Sequence, residues 1–262
     1  MPGVWVFTSA LYQTTCTVID SSDALAVVDP NWLPEEVQQI RDFVNEKAGR
    51  KELYLIFTHS DYDHIVGYGA FPGSKVIASA AFVLNPNKER DLKQALHFDD
   101  SHYIFREYPL GYPEVDVVIG HDGQYLESGE IRWTFYLAPG HTDQGMFIIC
   151  EPQGVFIAGD YLSDIEFPLI SGSIEDYRLT MGKVESILEE HSIRHMIPGH
   201  GNPVDSRVTI LKRRDQALEY LDDLEALVRR GIPFPESRYR QRYAFWNGIY
   251  EWHLENIEQV KK

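Results

Sequence analysis

The sequence is short of cysteine, of long apolar runs and of positive charge. Its two cysteines, Cys16 and Cys150, are too few for a disulfide framework, and both lie in apolar, strand-like runs. We therefore expect buried thiols in a reducing compartment. No apolar stretch is long enough to span a membrane, and Met1 to Ala10 contains no basic leader. These absences predict a cytoplasmic protein with no membrane partner.

Acidic residues outnumber basic ones by 40 to 24, which gives a net charge of -16. Because an acidic surface repels phosphate backbones and anionic lipids, we expect no nucleic-acid partner. The most basic run, Lys212-Arg213-Arg214, precedes Asp215 in a helical pattern, so we interpret it as a solvated face. The chain also lacks a Gly-x-Ser-x-Gly run, a phosphate-binding glycine loop and a dinucleotide fingerprint, so nucleotide cofactors are not supported.

The rest of the composition is that of a globular protein, 44% hydrophobic and 24% charged in 262 residues. Apolar runs predict strands at 4–7, 14–19, 24–28, 53–58, 74–79, 131–137, 146–150, 155–158 and 195–197. Helix-start signals occur at Pro34, Ser173 and Ser206. Residues 85–129 are irregular and lack a core-sized apolar set, so we interpret them as an insertion of short helices or loops.

Aromatic residues recur at helical spacing near the end of the chain, at Tyr239, Tyr243, Trp246 and Tyr250. This stripe predicts one last helix. Its aromatic face either packs on its own domain, covers a site or forms a homodimer contact.

The most informative stretch follows the predicted strand at 53–58. There His59, Asp61, Asp63 and His64 place four possible metal ligands within six residues. Carboxylates this close repel each other unless positive charge lies between them, and neighbouring neutral imidazoles favour a divalent cation. The alternative interpretation is a polar loop with a helix cap.

Three later strands end in a glycine followed by a possible ligand. These ligands are His141 after Gly140, Asp160 after Gly159, and His200 after Gly199. Glycine allows a sharp backbone turn, and sites are commonly built where strands end along one sheet edge. A single Gly-His pair would be ordinary, but the four elements together predict one metal site.

This combination resembles the metallo-β-lactamase superfamily, whose core pattern is His-x-His-x-Asp-His followed by a Gly-His, a Gly-Asp and a late Gly-His. The resemblance covers residues 1–205 and implies an α/β fold, a four-layer αβ/βα sandwich. Residues 206–262 would form a C-terminal helical extension packed on the same domain.

The resemblance also implies a dinuclear metal site. His59, His141 and the residue at position 61 would hold the first ion, Asp63, His64 and His200 would hold the second, and Asp160 would bridge the two.

Asp61 stands where the family pattern has its second histidine. Asp61, Asp63 and Asp160 would then face two divalent ions, and a bridging hydroxide would bring the cluster to about zero charge. A less positive cluster is a weaker Lewis acid, and hard oxygen ligands shift the preference from zinc toward iron or manganese. Two zinc ions are the first expectation, with iron, manganese or a single occupied site as alternatives.

The resemblance implies a metal-dependent hydrolase of a small ester, thioester, lactone or lactam. In it, the bridging hydroxide attacks an acyl carbon and Asp63 or Asp160 receives the proton. One alternative is a di-iron oxygen-binding or oxidoreductase protein with a flavodiiron-like site but no flavin domain. The other is a non-catalytic binding module that keeps the fold.

Aromatic and apolar residues near these motifs are candidates for a pocket wall and suggest a partly apolar small-molecule substrate. They are Tyr12, Tyr62, Tyr68, Phe71, Tyr161, Ile165 and Phe167. Core packing is the alternative for each. We interpret the segment from His97 to His102 as a solvated loop, because nothing places its two histidines on one face. The remaining histidines are expected to be structural, at positions His121, His191, His195 and His253.

Overall fold

The computed structural model describes residues 3–261 and folds them into two β-sheets with helices on both outer faces. In chain order the elements are β1 (Val4–Thr8), β2 (Thr15–Asp20), β3 (Ala24–Val28), α1 (Pro34–Ala48), β4 (Glu52–Ile56), α2 (Tyr62–Ile65), a short 3-10 helix (Tyr68–Ala70), β5 (Lys75–Ser79), α3 (Ala80–Val83), α4 (Lys88–His102), β6 (Val117–Ile119), β7 (Gln124–Ser128), β8 (Ile131–Leu137), β9 (Met146–Glu151), β10 (Val155–Ile157), α5 (Ile174–Glu190), β11 (His195–Ile197), α6 (Arg207–Arg230), α7 (Glu236–Arg242) and α8 (Tyr250–Val260).

Both sheets are mixed. The first has the order β1-β2-β3-β4-β5-β6, in which β1, β2 and β3 pair antiparallel and β3 to β6 pair parallel. The second has the order β11-β10-β9-β8-β7, in which only β10 and β11 pair parallel. Because parallel strands end at the same edge, the chain leaves β3 and β4 side by side at one edge of the first sheet.

Three apolar layers separate the sheets and helices. Strand β9 shows the rule of alternation: Met146, Ile148 and Cys150 face the first sheet, whereas Phe147 and Ile149 face the helices α5 to α8. The outer face of the first sheet packs on α1 through Val37, Ile40 and Val44. The four-layer αβ/βα sandwich predicted from the sequence is therefore confirmed.

Helix ends agree with the start and stop signals in the sequence. Pro34 is the first residue of α1, and the side chains of Ser173 and Ser206 accept the backbone N–H groups of Asp176 and Thr209 at the starts of α5 and α6. Gly231 ends α6 at φ 65°, a left-handed conformation that glycine adopts without a steric penalty. The predicted starts of these three helices are confirmed.

Two regions differ from the sequence-based expectation. The segment 85–129 contains the 15-residue helix α4 and the strands β6 and β7, which form an edge of each sheet, so short helices and loops do not describe it. His97 and His102 are both exposed and lie on α4 rather than in a loop. Strand β6 has only three residues and β7 is half exposed, so neither gives the apolar run by which a strand is recognised.

The predicted last helix is also divided. Its aromatic stripe begins on α7, crosses a turn at 243–249 and ends at the start of α8. Three residues of the stripe are buried, namely Tyr239, Tyr243 and Trp246. They lie in the apolar layer that separates the second sheet from the helices α5 and α6. They pack on their own chain, which is the first of the three interpretations of the stripe.

Both cysteines are buried free thiols, as predicted. Within residues 3–261, no helix has the combination of length and apolar composition needed to cross a membrane.

A hydrogen-bonded network fixes α8 to the rest of the molecule. The Asn256 amide donates to the carbonyl of Pro168 (2.7 Å) and to the hydroxyl of Tyr220 (2.9 Å), and its oxygen accepts the N–H of Ile170 (2.9 Å). The Tyr220 hydroxyl, already an acceptor, donates to Nδ1 of His253 at 2.8 Å. His253 therefore acts as a neutral acceptor in a buried position.

The state of His253 predicts a pH dependence of stability. Burial lowers the pKa of His253 from 6.5 to about 4, so the folded protein binds this proton more weakly than the unfolded chain. The stability that neutral His253 contributes to the folded protein is complete above pH 6.5 and is lost as the pH falls from 6.5 toward 4. Over this pH range the free energy of unfolding falls, and we expect the fall to be about 1–2 kcal/mol smaller in His253→Gln than in the wild type. Urea unfolding at neutral and acidic pH measures it.

His121→Gln is the matched control, because His121 is exposed and its Nδ1 bonds to the carbonyl of neighbouring Asp122. It should leave the pH dependence unchanged. An equal fall in the wild type and in His253→Gln would contradict the assignment.

Candidate metal centre

All seven candidate ligands meet where the two sheets come together at one edge. His59, Asp61, Asp63 and His64 follow β4, and the others follow β8, β10 and β11. Their ligand atoms form two groups, in each of which all atoms lie within 4.8 Å of one another. The first group contains His59, Asp61, His141 and Asp160, and the second contains Asp63, His64 and His200.

Hydrogen bonds between the sheets hold this edge together. The Thr58 carbonyl after β4 accepts the N–H of Met146 at the start of β9 (2.8 Å). Thr15 donates its N–H to the Gly199 carbonyl (2.7 Å) and its hydroxyl to the Pro198 carbonyl (2.6 Å). The turn that carries His200 is therefore fastened to the start of β2.

Asp160 lies at the centre of the cluster and contacts both groups. Its Oδ1 is 3.1 Å from Nε2 of His64. Its Oδ2 is 3.1 Å from Nε2 of His200, 3.3 Å from that of His141 and 3.4 Å from that of His59. One carboxylate thus faces four imidazole nitrogens.

The other two carboxylates divide between the groups. Oδ2 of Asp61 is 3.2 Å from Nε2 of His141 and 3.7 Å from that of His59. Oδ2 of Asp63 is 3.4 Å from Nε2 of His200 and 3.5 Å from that of His64. Asp61 is the more open of the two, with its side chain 41% exposed against 11% for Asp63. Solvent therefore reaches the cluster beside Asp61.

Each imidazole is oriented by an oxygen on its other nitrogen. Nδ1 of His141 donates to the Leu169 carbonyl (3.0 Å), and Nδ1 of His200 donates to the Tyr12 carbonyl (2.9 Å). Nδ1 of His64 donates to Oδ2 of Asp29 at 3.0 Å. A carbonyl or carboxylate can only accept, so the proton is on Nδ1 and Nε2 is left to face the cluster.

His59 follows the same rule through a hydroxyl. The Thr58 hydroxyl donates to Asp29 (2.6 Å), so its oxygen accepts from Nδ1 of His59 at 3.0 Å. All four histidines therefore present Nε2, the nitrogen that a metal would use, toward the centre.

Asp29 is the main contributor that the sequence analysis missed. Its carboxylate accepts the N–H (2.9 Å) and hydroxyl of Thr58 as well as Nδ1 of His64, so it orients both histidines of the motif. Asp29 adopts φ 50°, and Asn31 two residues later adopts φ 68°, a region that non-glycine residues rarely occupy. The sequence itself shows only an Asp-Pro pair at the end of the strand predicted at 24–28, which is an ordinary way for a strand to end.

The glycines before the ligands have two different roles. Gly140 and Gly159 adopt φ 123° and 52°, as the prediction of a sharp turn requires. Gly199 does not need this conformation, but a Cβ there would overlap Oδ1 of Asp160 and the Gly159 backbone. At Gly199 the requirement is space for the central carboxylate.

The donor set fits divalent metal ions. Nε2 of His59 and Oδ1 of Asp160 are buried without a hydrogen-bond partner among the described residues, which is costly unless a ligand completes them. Burial lowers the pKa of His200, but Asp160 and Glu166 outweigh it and raise the pKa to about 10. The carboxylates thus attract positive charge, and a metal ion can replace the proton on each Nε2.

A cavity of about 350 Å³ opens over the cluster. Of the predicted wall residues, Tyr12 and Tyr62 line it. The prediction is wrong for Tyr68 and Phe71, which pack under the first sheet, and for Tyr161, Ile165 and Phe167, which are buried away from it. Tyr161 instead positions the His141 loop, since its hydroxyl donates to the Ala138 carbonyl (2.9 Å) and accepts the N–H of His141 (2.8 Å).

Other wall residues come from distant parts of the chain and were not predicted. Trp32 follows β3, Glu166 follows β10, and Trp252, Glu255 and Asn256 lie on α8. Their contribution depends on how loops and the last helix fold back over the sheet edge, which motif spacing does not encode. The histidines expected to be structural lie outside both ligand groups.

The comparisons with known proteins agree with this geometry. A family model described as the metallo-beta-lactamase superfamily matches residues 10–228. A type 2 metallo-beta-lactamase from Bacillus cereus is 24% identical over 216 residues, which cover 78% of this chain and 75% of that protein.

Solved structures share the fold at lower identity. A metallo-beta-lactamase with a HARLDQ motif from Cronobacter sakazakii has a TM-score of 0.62 and 19% identity, over 86% of this chain and 92% of that one. A sec-alkylsulfatase from a Pseudomonas species has a TM-score of 0.72 and 16% identity, over 88% of this chain but only 43% of that one.

The family match extends over most of the chain and includes all seven candidate ligands. The resemblance inferred from the motifs is therefore confirmed. The chain belongs to the metallo-beta-lactamase superfamily and is a metallo-hydrolase of that superfamily.

Proposed function

We propose that this chain hydrolyses a small ester, thioester, lactone or lactam at a centre of two divalent metal ions. The observation that carries this proposal is the convergence of four imidazole Nε2 atoms on the Asp160 carboxylate, each with its Nδ1 held by an oxygen. Such an arrangement holds metal ligands in place before any metal binds.

The residues divide between the two ions as the two groups divide. His59, Asp61 and His141 would hold the first ion, and Asp63, His64 and His200 the second. Asp160 would bridge them, because its two oxygens contact histidines of both groups. Zinc suits the four imidazoles, whereas the extra carboxylate of Asp61 favours iron or manganese.

A bound pair of divalent ions supplies a water of lowered pKa and polarises the carbonyl that is attacked. The chain supplies the proton acceptors, because Asp63 and Asp160 both line the cavity. Oδ2 of Asp63 also accepts the hydroxyl of Thr14 at 3.2 Å, which orients that carboxylate. Tyr12 and Tyr62 line the cavity and give it a partly apolar wall.

The size and charge of the site restrict the substrate. A cavity of about 350 Å³ is at the lower end of the roughly 300–1,000 Å³ range of ligand pockets, which favours a small molecule. The net charge of -16 disfavours long polyanions such as nucleic acids.

The family match favours hydrolysis over the di-iron alternative. A cytoplasmic location and a homodimer stay predictions.

Asp160→Ala tests the centre itself. Because Asp160 contacts histidines of both groups, we expect the variant to lose metal from one or both sites and all hydrolytic activity. Elemental mass spectrometry, reported as moles of metal per chain, and a panel of ester, thioester, lactone and lactam substrates measure both effects. Asp100→Ala, which removes an exposed carboxylate from α4, is the control.

Wild-type metal content in Asp160→Ala would show that Asp160 is not a ligand. A wild-type protein that holds two metal ions and hydrolyses no member of the panel would contradict the hydrolase proposal.

Asp61→His should raise zinc affinity by roughly tenfold, because it replaces a hard carboxylate with the softer imidazole. Competition against a chromophoric chelator measures the dissociation constant. Asp61→Asn removes the charge without adding an imidazole and should not reproduce the gain. Unchanged or weaker zinc binding by Asp61→His would count against a ligand role at this position.

Asp29→Asn tests whether the hydrogen bonds that Asp29 accepts orient the candidate histidine ligands. Asn keeps the shape of Asp29 but presents one N–H donor where Thr58 and His64 also donate, so at least one histidine loses its orientation. We expect metal affinity to fall by about 10–100-fold while the fold is retained, as judged by circular dichroism. Asp23→Asn, in the exposed turn before β3, is the control, and equal metal affinity in both variants would refute the role of Asp29.

A further inference from the structure

Glu166 is a buried carboxylate with no assigned role in the metal centre. It lies between β10 and α5, is 8% exposed, and lines the cavity. Its N–H donates to the hydroxyl of Ser163, but its side chain has no hydrogen bond or ion pair with any residue from 3 to 261. An ionised carboxylate that is buried without a partner is unfavourable, and a cationic ligand beside it would offset that cost.

The electrostatics of Glu166 support this interpretation. Burial raises the pKa of Glu166 to about 7, and Asp160 and Asp63 add to the rise while His200 opposes it. Glu166 lines the same cavity as Asp63, Asp160 and His200. A cation bound beside Glu166 would favour its ionised form.

Aromatic rings line the same cavity. Trp32 is only 1% exposed, and its ring centroid lies 5.5 Å from that of Tyr12 and 4.9 Å from that of Tyr62, so it supports the two tyrosine rings that line the cavity. Trp252 on α8, 41% exposed, adds a fourth ring at the cavity. The faces of such rings attract organic cations, and most strongly where water is excluded.

The charges around the cavity are also unbalanced. Six carboxylates line it against a single guanidinium, that of Arg90, which is already paired with Asp91 at 3.2 Å. With Glu166 ionised, the wall keeps a formal charge of -1 after two divalent ions contribute four positive charges. An anionic substrate would meet repulsion here, and a cationic one would meet attraction.

We infer that the substrate of this hydrolase carries an organic cation, such as a primary or quaternary ammonium group. The ammonium group pairs with Glu166 against the rings of Tyr12 and Tyr62. This inference rests on the proposed function for the identity of the reaction, but it concerns binding and can be tested without hydrolysis. Glu166 is a specificity-determining residue in this assignment.

The first experiment measures binding to the metal-loaded 262-residue chain. Choline and its neutral isostere 3,3-dimethylbutan-1-ol differ in one atom, nitrogen against carbon, and Trp32 and Trp252 provide a fluorescence signal at the cavity. We expect choline to bind at least about tenfold more tightly, and added sodium chloride to weaken choline binding alone. Equal binding of the two, or tighter binding of the anion 3,3-dimethylbutanoate, would overturn the inference.

Glu166→Gln removes the charge with little change of shape and should abolish most of the preference for choline. Glu258→Gln is the matched control, since Glu258 lies exposed on α8 outside the cavity and its substitution changes the net charge equally. A preference that persists in Glu166→Gln would overturn the assignment. The salt dependence of the wild type tests the inference without relying on the variant to fold.

The second experiment compares hydrolysis of acetylcholine with that of 3,3-dimethylbutyl acetate. The readout is the ratio of their kcat/KM values, which a general loss of activity does not change. We expect a ratio of at least about ten in the wild type, falling toward one in Glu166→Gln. Hydrolysis of both esters without preference would overturn the inference alone. Binding preference for choline without hydrolysis of any ester, thioester, lactone or lactam would overturn the proposed function alone.

Discussion

Three carboxylates that converge on one cluster of imidazoles impose the main constraint on this molecule. Asp61, Asp63 and Asp160 would repel one another in a folded protein without positive charge between them. Four imidazoles around Asp160 provide sites for that charge, as protons or as metal ions. This arrangement depends on the orientation of every imidazole, which is fixed by a hydrogen bond from its Nδ1 to an oxygen atom.

The two-sheet fold supplies those oxygens from parts of the chain that are far apart in sequence. Asp29 at the end of β3 reaches the motif at the end of the neighbouring parallel strand β4. The carbonyls of Tyr12 and Leu169 come from loops at opposite sides of the cluster. A sandwich that brings several strand ends to one edge can therefore orient four histidines without a dedicated binding domain.

The sequence was sufficient to predict which side chains converge at the sheet edge, the layers and most strands, for identifiable reasons. His59 to His64 combine four ligand types in a short stretch, and β9 alternates between two buried faces, so both signals are local. It was not sufficient for β6 and β7, which are short or half exposed. Nor could it predict that Glu166 and Trp252 share a cavity, because their proximity depends on the packing of α8 across the second sheet. The aromatic residues near the motifs were a poor guide, since Phe71 and Phe167 serve the core.

The last helix is connected to the ligands by a short relay. Asn256 on α8 holds both Pro168 and Ile170, and the residue between them, Leu169, provides the carbonyl that fixes His141. Thermodynamic linkage makes such a connection reciprocal. If α8 stabilises the orientation of His141, an ion bound by His141 stabilises the docking of α8. Local opening of α8 and loss of metal would then be coupled, so that each favours the other. Metal supply in the cell would set how long the chain end stays protected from proteases.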